Sequence, residues 1–116
     1  MTKVTIFHNP RCSKSRQTLA LLKDNQCDIT VVEYLKDIPS IDTLSSILSM
    51  LNISPRELMR TKEAEYKELQ LNNENLSDAE LLQAMVTTPK LIERPIVIAD
   101  NRAVIGRPPE NVFTII

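Results

Sequence analysis

The chain has 116 residues, enough for one compact domain with its own core. Its 42% hydrophobic and 25% charged content is that of an ordinary soluble globular protein, and a net charge of −1 gives no general electrostatic drive toward nucleic acid or an anionic membrane. Aromatic residues at 3% are too few for a base-stacking surface, and two cysteines with one histidine supply no metal-ligand spacing.

No run approaches the ~20 apolar residues of a membrane span, and the first residues lack the apolar stretch of a signal peptide. A reducing cytoplasm is the expected setting for a free reactive thiol. Residues 4–7 read as a short buried strand. Residues 13–23 read as a helix with Leu19 and Leu22 on one face. After a turn at 24–28, the β-branched run 29–34 reads as a second buried strand, paired parallel to the first.

The middle is predicted to be helical. Ser40 caps a run with Ile41, Leu44, Ile47, Leu48 and Leu51 at helical spacing. Ser54-Pro55-Arg56-Glu57 and Ser77-Asp78-Ala79-Glu80 carry capping boxes, each opening a further helix, with a partly helical polar stretch and a loop at 72–75 between them. Residues 95–99 and 102–105 read as a hairpin turning at Asp100-Asn101. Gly106 breaks the strand, and Pro108-Pro109-Glu110 starts a last short helix with Val112, Phe113 and Ile116 as its apolar face. The order β-α-β, helices, β-β-α is that of a thioredoxin-like α/β fold. We read one domain over residues 1–116, with a helical insert at about 38–90 between the second and third strands.

Chemistry concentrates in His8-Asn9-Pro10-Arg11-Cys12-Ser13-Lys14-Ser15-Arg16. Cys12 stands where a strand gives way to a helix, against the positive end of the helix dipole, which favours thiolate over thiol. A lone cysteine is often just a small buried hydrophobe, but the Asn-Pro turn and cationic flanks are not those of a core segment. Ser15 stands where a dithiol motif carries its second cysteine, so Cys12 reads as a single nucleophile. Ser15 serves either as a donor to the thiolate or as a helix-start residue. His8 is either a charge partner that lowers the thiol pKa or a packed strand-end histidine. Cys27 lies across a helix, beyond disulfide reach, and reads as an incidental thiol.

Arg60, Arg94 and Arg107 stand out by their settings: the end of a short helix, the residue before Pro95, and the residue between Gly106 and Pro108. X-Pro bonds such as Arg94-Pro95 are the usual place for a cis peptide. Each arginine is either a solvated surface charge or part of an oxyanion trap around the thiolate. The chain has no Gly-rich phosphate loop, and threonine at position 18 excludes a Cys-x5-Arg loop.

The motifs His8-Asn9-Pro10-x-Cys12-x-x-Ser15-Arg16 and Ile92-Glu93-Arg94-Pro95-Ile96-Val97 together resemble those of the glutaredoxin-dependent arsenate reductases, the ArsC family. Glu33-Tyr34-Leu35, Leu58-Met59-Arg60 and Ile105-Gly106-Arg107-Pro108 also match, so the resemblance spans essentially the whole chain. It implies a thioredoxin-like fold with an inserted helical subdomain. It further implies that Cys12 forms a covalent arsenic–sulfur adduct, that Arg60, Arg94 and Arg107 bind the oxyanion, and that His8 and Ser15 support the thiolate. Glutathione as co-substrate and glutaredoxin as partner supply the electrons, with no tightly bound cofactor and no metal. Two other functions fit part of the pattern: a glutathione-dependent thiol oxidoreductase with another substrate, and an Spx-like regulator that binds RNA polymerase. Ser15 removes the Cys-x-x-Cys switch that Spx-type regulators often carry, and the arginines favour the enzyme.

Overall fold

The strands Lys3–Phe7 (β1), Asp28–Val32 (β2), Ile96–Ala99 (β3) and Arg102–Ile105 (β4) form one sheet in the order β2-β1-β3-β4. The structure is a computed structural model that describes residues 1–116. β1 runs parallel to β2 and antiparallel to β3, and β3 and β4 form an antiparallel hairpin. This is the expected thioredoxin-like order. The chain divides into two compact units, one made of Met1–Asp37 and Arg94–Ile116 and the other of Ile38–Glu93.

In the sheet unit, alternate residues of each strand share a face. Val4 and Ile6 of β1 and Val97 and Ala99 of β3 pack with Leu22, Val112 and Ile115 into one apolar cluster. Leu22 comes from the helix Ser13–Asp24 (α1), and Val112 and Ile115 come from the C-terminal 3-10 turns at Pro109–Thr114 and just beyond. Each fully buried aliphatic side chain contributes about 1.5–3 kcal/mol. α1 closes with Gln26 in the left-handed region (φ 59), the Gln26 N–H on the Lys23 carbonyl and the Cys27 N–H on the Leu22 carbonyl. That is a Schellman closure made without glycine.

The expectation of a buried second strand needs correction. β2 lies at the sheet edge with only β1 beside it, and Val31 is 46% exposed. Its β-branched run reflects strand propensity rather than burial. The last helix is also corrected: it is a 3-10 segment whose inward residues are Pro109 and Val112, followed by Ile115, while Phe113 is largely exposed. Three residues per turn bring 112 and 115 to one side, and Ile116 packs partly buried against the same core, so of the expected face Val112, Phe113 and Ile116 only Phe113 turns outward.

In the other unit, Ile41–Leu51 (α2) is capped by the Ser40 hydroxyl, which accepts from the Thr43 N–H at 3.1 Å. Ala64–Glu68 (α3) is short, and Asp78–Thr87 (α4) opens with a complete Ser77–Glu80 capping box. The Ser54 box also forms, with Glu57 Oε1 accepting from the Ser54 N–H at 3.2 Å, but it opens only the 3-10 turn Arg56–Leu58. Leu44, Ile47, Leu58, Met85, Leu91 and Ile92 are this unit's fully buried side chains. No helix of the chain is long and apolar enough to cross a membrane.

Candidate active site

Cys12 is the N-cap of α1, extended at φ −93 and ψ 122, so its side chain sits at the open end of the helix. The preceding loop is fastened by its own short bonds. The Asn9 side-chain oxygen accepts from the Arg11 N–H at 3.0 Å, the Asn9 carbonyl accepts from the Cys12 N–H at 3.0 Å, and the His8 N–H reaches the Val32 carbonyl at 2.8 Å. A strand end, an Asn turn and a helix start therefore set the sulfur position locally.

Burial pushes the Cys12 thiol pKa up, but the opposing contributions outweigh it and the net shift is downward. These are the Ser15 N–H, the Arg94 guanidinium and the Lys14 N–H. The sulfur makes no strict capping bond, so these backbone donors favour its anion without tying it up. Arg107 Nη1 lies 3.8 Å from the sulfur and 3.5 Å from the Arg94 carbonyl. The Arg107 backbone is pinned in turn by Asn111, whose side-chain amide donates to the Ile105 carbonyl at 3.0 Å and the Arg107 carbonyl at 3.3 Å. The Arg94-Pro95 and Arg107-Pro108 peptide bonds are both cis.

The structure thus gathers His8, Cys12, Ser15, Arg94 and Arg107 in the sheet unit. Of the two readings of His8, the packed strand-end histidine is the one its burial favours. Burial, ahead of nearby Lys23 and Arg16, lowers its pKa against an opposing Glu33, which favours the neutral ring. Its Nδ1 lies 2.6 Å from the Ser15 Oγ, which also accepts from the Asn9 N–H at 3.0 Å. Ser15 is fully buried and its hydroxyl is engaged there, so the sulfur receives the Ser15 backbone N–H and not its side chain.

Arg60 lies in the helical unit, where its Nε bonds Glu63 at 3.0 Å and its Nη1 bonds Glu93 at 2.8 Å. Lys90 shares Glu63 at 3.6 Å and holds Glu65 at 3.2 Å. Arg16, one of the cations flanking Cys12 in the sequence, donates to the Pro10 carbonyl at 3.0 Å. Cys27 is a free thiol packed against the sheet core, and burial raises its pKa. No group of three or more His, Cys, Asp and Glu side chains gathers to hold a metal ion. The Asn111 and Lys14 contributions are not legible in the sequence: the Asn111 amide binds carbonyls that only the folded loop brings to it, and Lys14 acts through its backbone N–H rather than its side chain.

An ionisable sulfur flanked by two guanidinium groups is suited to attack on an electrophile that carries negative oxygens. Comparison with known proteins points the same way. The sequence profile described as the ArsC family matches residues 7–115. An uncharacterised protein of Escherichia coli K12 is 56% identical, covering 100% of this chain and 99% of that protein. An arsenate reductase of Haemophilus influenzae is 49% identical, over 97% of this chain and 98% of its own length. The solved structure of an arsenate reductase from Vibrio cholerae superposes with a TM-score of 0.97 at 47% identity, covering 99% of this chain and 98% of that one. With matches of this extent to both profile and relatives, the chain belongs to the ArsC family.

Proposed function

We propose that the protein reduces arsenate to arsenite through a covalent adduct on Cys12, using glutathione and glutaredoxin as external reductants. Arg94 and Arg107 hold the oxyanion's negative oxygens beside the sulfur. The Cys12 thiolate attacks arsenic(V), an S–As bond forms, and one As–O bond breaks with its oxygen leaving as water. A glutathione thiolate then attacks the adduct. The S–As bond breaks with its electron pair kept by arsenic, arsenite leaves, and Cys12 remains in a mixed disulfide with glutathione. A glutaredoxin thiolate takes the glutathionyl group and returns Cys12 to its thiolate. Two thiols thus supply the two electrons.

One observation carries this reading: a sulfur whose pKa is lowered at a helix N-cap, with Arg94 bonded to it and Arg107 Nη1 at 3.8 Å. The serine at position 15 leaves no resolving cysteine in the motif, which fits a need for outside thiols. The names of the relatives support the choice of arsenate. His8 and Ser15 act as neighbours that hold the loop and the helix start. For Arg60 an oxyanion-binding role rests on the resemblance alone. The test is arsenite formation with glutathione and glutaredoxin by the wild type, Cys12→Ser and Arg94→Ala. Turnover that needs all components and disappears in Cys12→Ser supports the reading, and full turnover by Cys12→Ser sinks it.

A further inference from the structure

Gly106 is the one glycine in the chain, and its role is spatial rather than conformational. The positive-φ positions are filled by Gln26, Asn52, Gln70, Asp100 and Asn101, and Gly106 is not among them. A Cβ at position 106 would lie 2.6 Å from Thr18 Oγ1, 2.8 Å from Pro95 Cγ and 3.0 Å from Thr18 Cγ2. Non-bonded carbons prefer about 3.5–4.0 Å. Any side chain here therefore forces α1 and the Arg94-Pro95 segment away from the end of β4.

Thr18 stands on the other side of that contact. It is fully buried on α1, and its hydroxyl donates to the Lys14 carbonyl at 2.8 Å and lies 3.3 Å from the Gly106 carbonyl. One hydroxyl proton serves both carbonyls. The Gly106 N–H donates to the Pro95 carbonyl at 2.9 Å. Gly106 is thus locked between the helix that carries Cys12 and the proline that follows Arg94, and the next residue is Arg107.

We propose that Thr18 and Gly106 are positioning residues: their contact locks α1 against the backbones bearing Arg94 and Arg107 and so holds both guanidinium groups on the Cys12 sulfur. This rests on the reading of Cys12 as the nucleophile and the two arginines as its anion partners. From Cys12 to Thr18 the helix rises about 9 Å, so a shift at Thr18 travels to the sulfur through less than two rigid turns. Relieving a 2.6 Å contact requires roughly 1 Å of movement. Added to the 3.8 Å between Arg107 Nη1 and the sulfur, that movement breaks their contact.

The test reads the pH midpoint of Cys12 alkylation by iodoacetamide, resolved from Cys27 by peptide mass spectrometry, with no arsenate present. Thr18→Val keeps the shape and removes the hydroxyl, Thr18→Ser keeps the hydroxyl, and Gly106→Ala adds the Cβ. Thr18→Val and Gly106→Ala are expected to raise the midpoint by about 0.5 pH unit or more, with Thr18→Ser close to wild type. In an Arg94→Ala/Arg107→Ala background, Thr18→Val is expected to leave the midpoint unmoved, because the coupling runs through the guanidinium groups. The proposal is overturned if Thr18→Val lowers only the melting temperature, or moves the midpoint equally with and without the arginines. If Gly106→Ala does not fold, the Thr18 pair decides alone. A shifted midpoint in an enzyme that makes no arsenite retains the positioning role and rejects the arsenate reading.

Discussion

Replacing Arg107 with alanine isolates one charge at a known distance from the sulfur. Its Nη1 lies 3.8 Å from Cys12 Sγ, Arg107 is exposed, and Cys12 is half-buried, so a water-like dielectric constant applies. At that distance a unit charge pair is worth ~1 kcal/mol in bulk water, equivalent to ~0.8 pH unit. Removing the cation destabilises the thiolate, so the alkylation midpoint of Cys12 rises by about that amount. For a midpoint above pH 7 the thiolate population at pH 7 then falls by up to about six-fold. Salt sharpens the assay, because the Debye length shrinks from ~8 Å at physiological ionic strength to ~3 Å at 1 M. The gap between wild type and Arg107→Ala therefore narrows in 1 M salt. Identical midpoints in low salt, or a gap that widens with salt, refute the electrostatic role of Arg107.

Three further outcomes follow from the same contacts. His8 has a depressed pKa in the folded chain, so the unfolded chain binds the proton more readily. Its stabilising contribution is complete above the unfolded value of about 6.5 and is lost as pH falls toward the native one. Thermal melts from pH 8 to 5 should show this slope in wild type and a flatter one in His8→Gln, and equal slopes reject it. Ser15→Ala leaves the Asn9 N–H and the His8 Nδ1 without their buried partner, which costs about 1–3 kcal/mol in denaturant titration. The Cys12 midpoint should move little, since Ser15 reaches the sulfur through its backbone N–H, and a large midpoint shift at unchanged stability contradicts that assignment. Ser77→Ala removes the hydroxyl that accepts from the Glu80 N–H at 3.2 Å, and should cost about 1 kcal/mol of stability with no change in Cys12 alkylation.

Local grammar made much of the fold legible. The Ser40 and Ser77 caps, the parallel β1–β2 pair and the Asp100-Asn101 hairpin all rest on neighbouring residues. The hairpin is a clear case, since both turn residues take positive φ (48 and 47) as a two-residue primed turn demands. What failed depends on distant partners. β2 reads as buried because its β-branched residues say nothing about which strand, if any, lies beyond it. The Ser54 capping box forms its bonds, yet only a single 3-10 turn follows it. Phe113 reads as inward only on an α-helical period, which the 3-10 segment does not keep.

The site divides along the same line. The Cys12 N-cap position follows from strand, turn and helix signals within ten residues. The Ser15 hydroxyl was legible as polar and near the thiol, but its engagement with His8 and Asn9 depends on the folded loop. The lowered pKa of His8 follows from burial, which one sequence does not display. Arg60 stands out in the sequence by its place after an apolar pair, while the carboxylates that pair with it, Glu63 and Glu93, include one 33 residues away. The Thr18–Gly106 contact spans 88 residues, and its only trace in the sequence is that the chain's single glycine stands at position 106.

The most direct measurement is the intact mass of the protein after incubation with arsenate and glutathione, without glutaredoxin, followed by peptide mapping. The account predicts one glutathionyl adduct on Cys12 that forms only when arsenate is present, is absent in Cys12→Ser, and disappears when glutaredoxin is added. An unmodified protein, or an adduct that forms without arsenate or resides on Cys27, contradicts it.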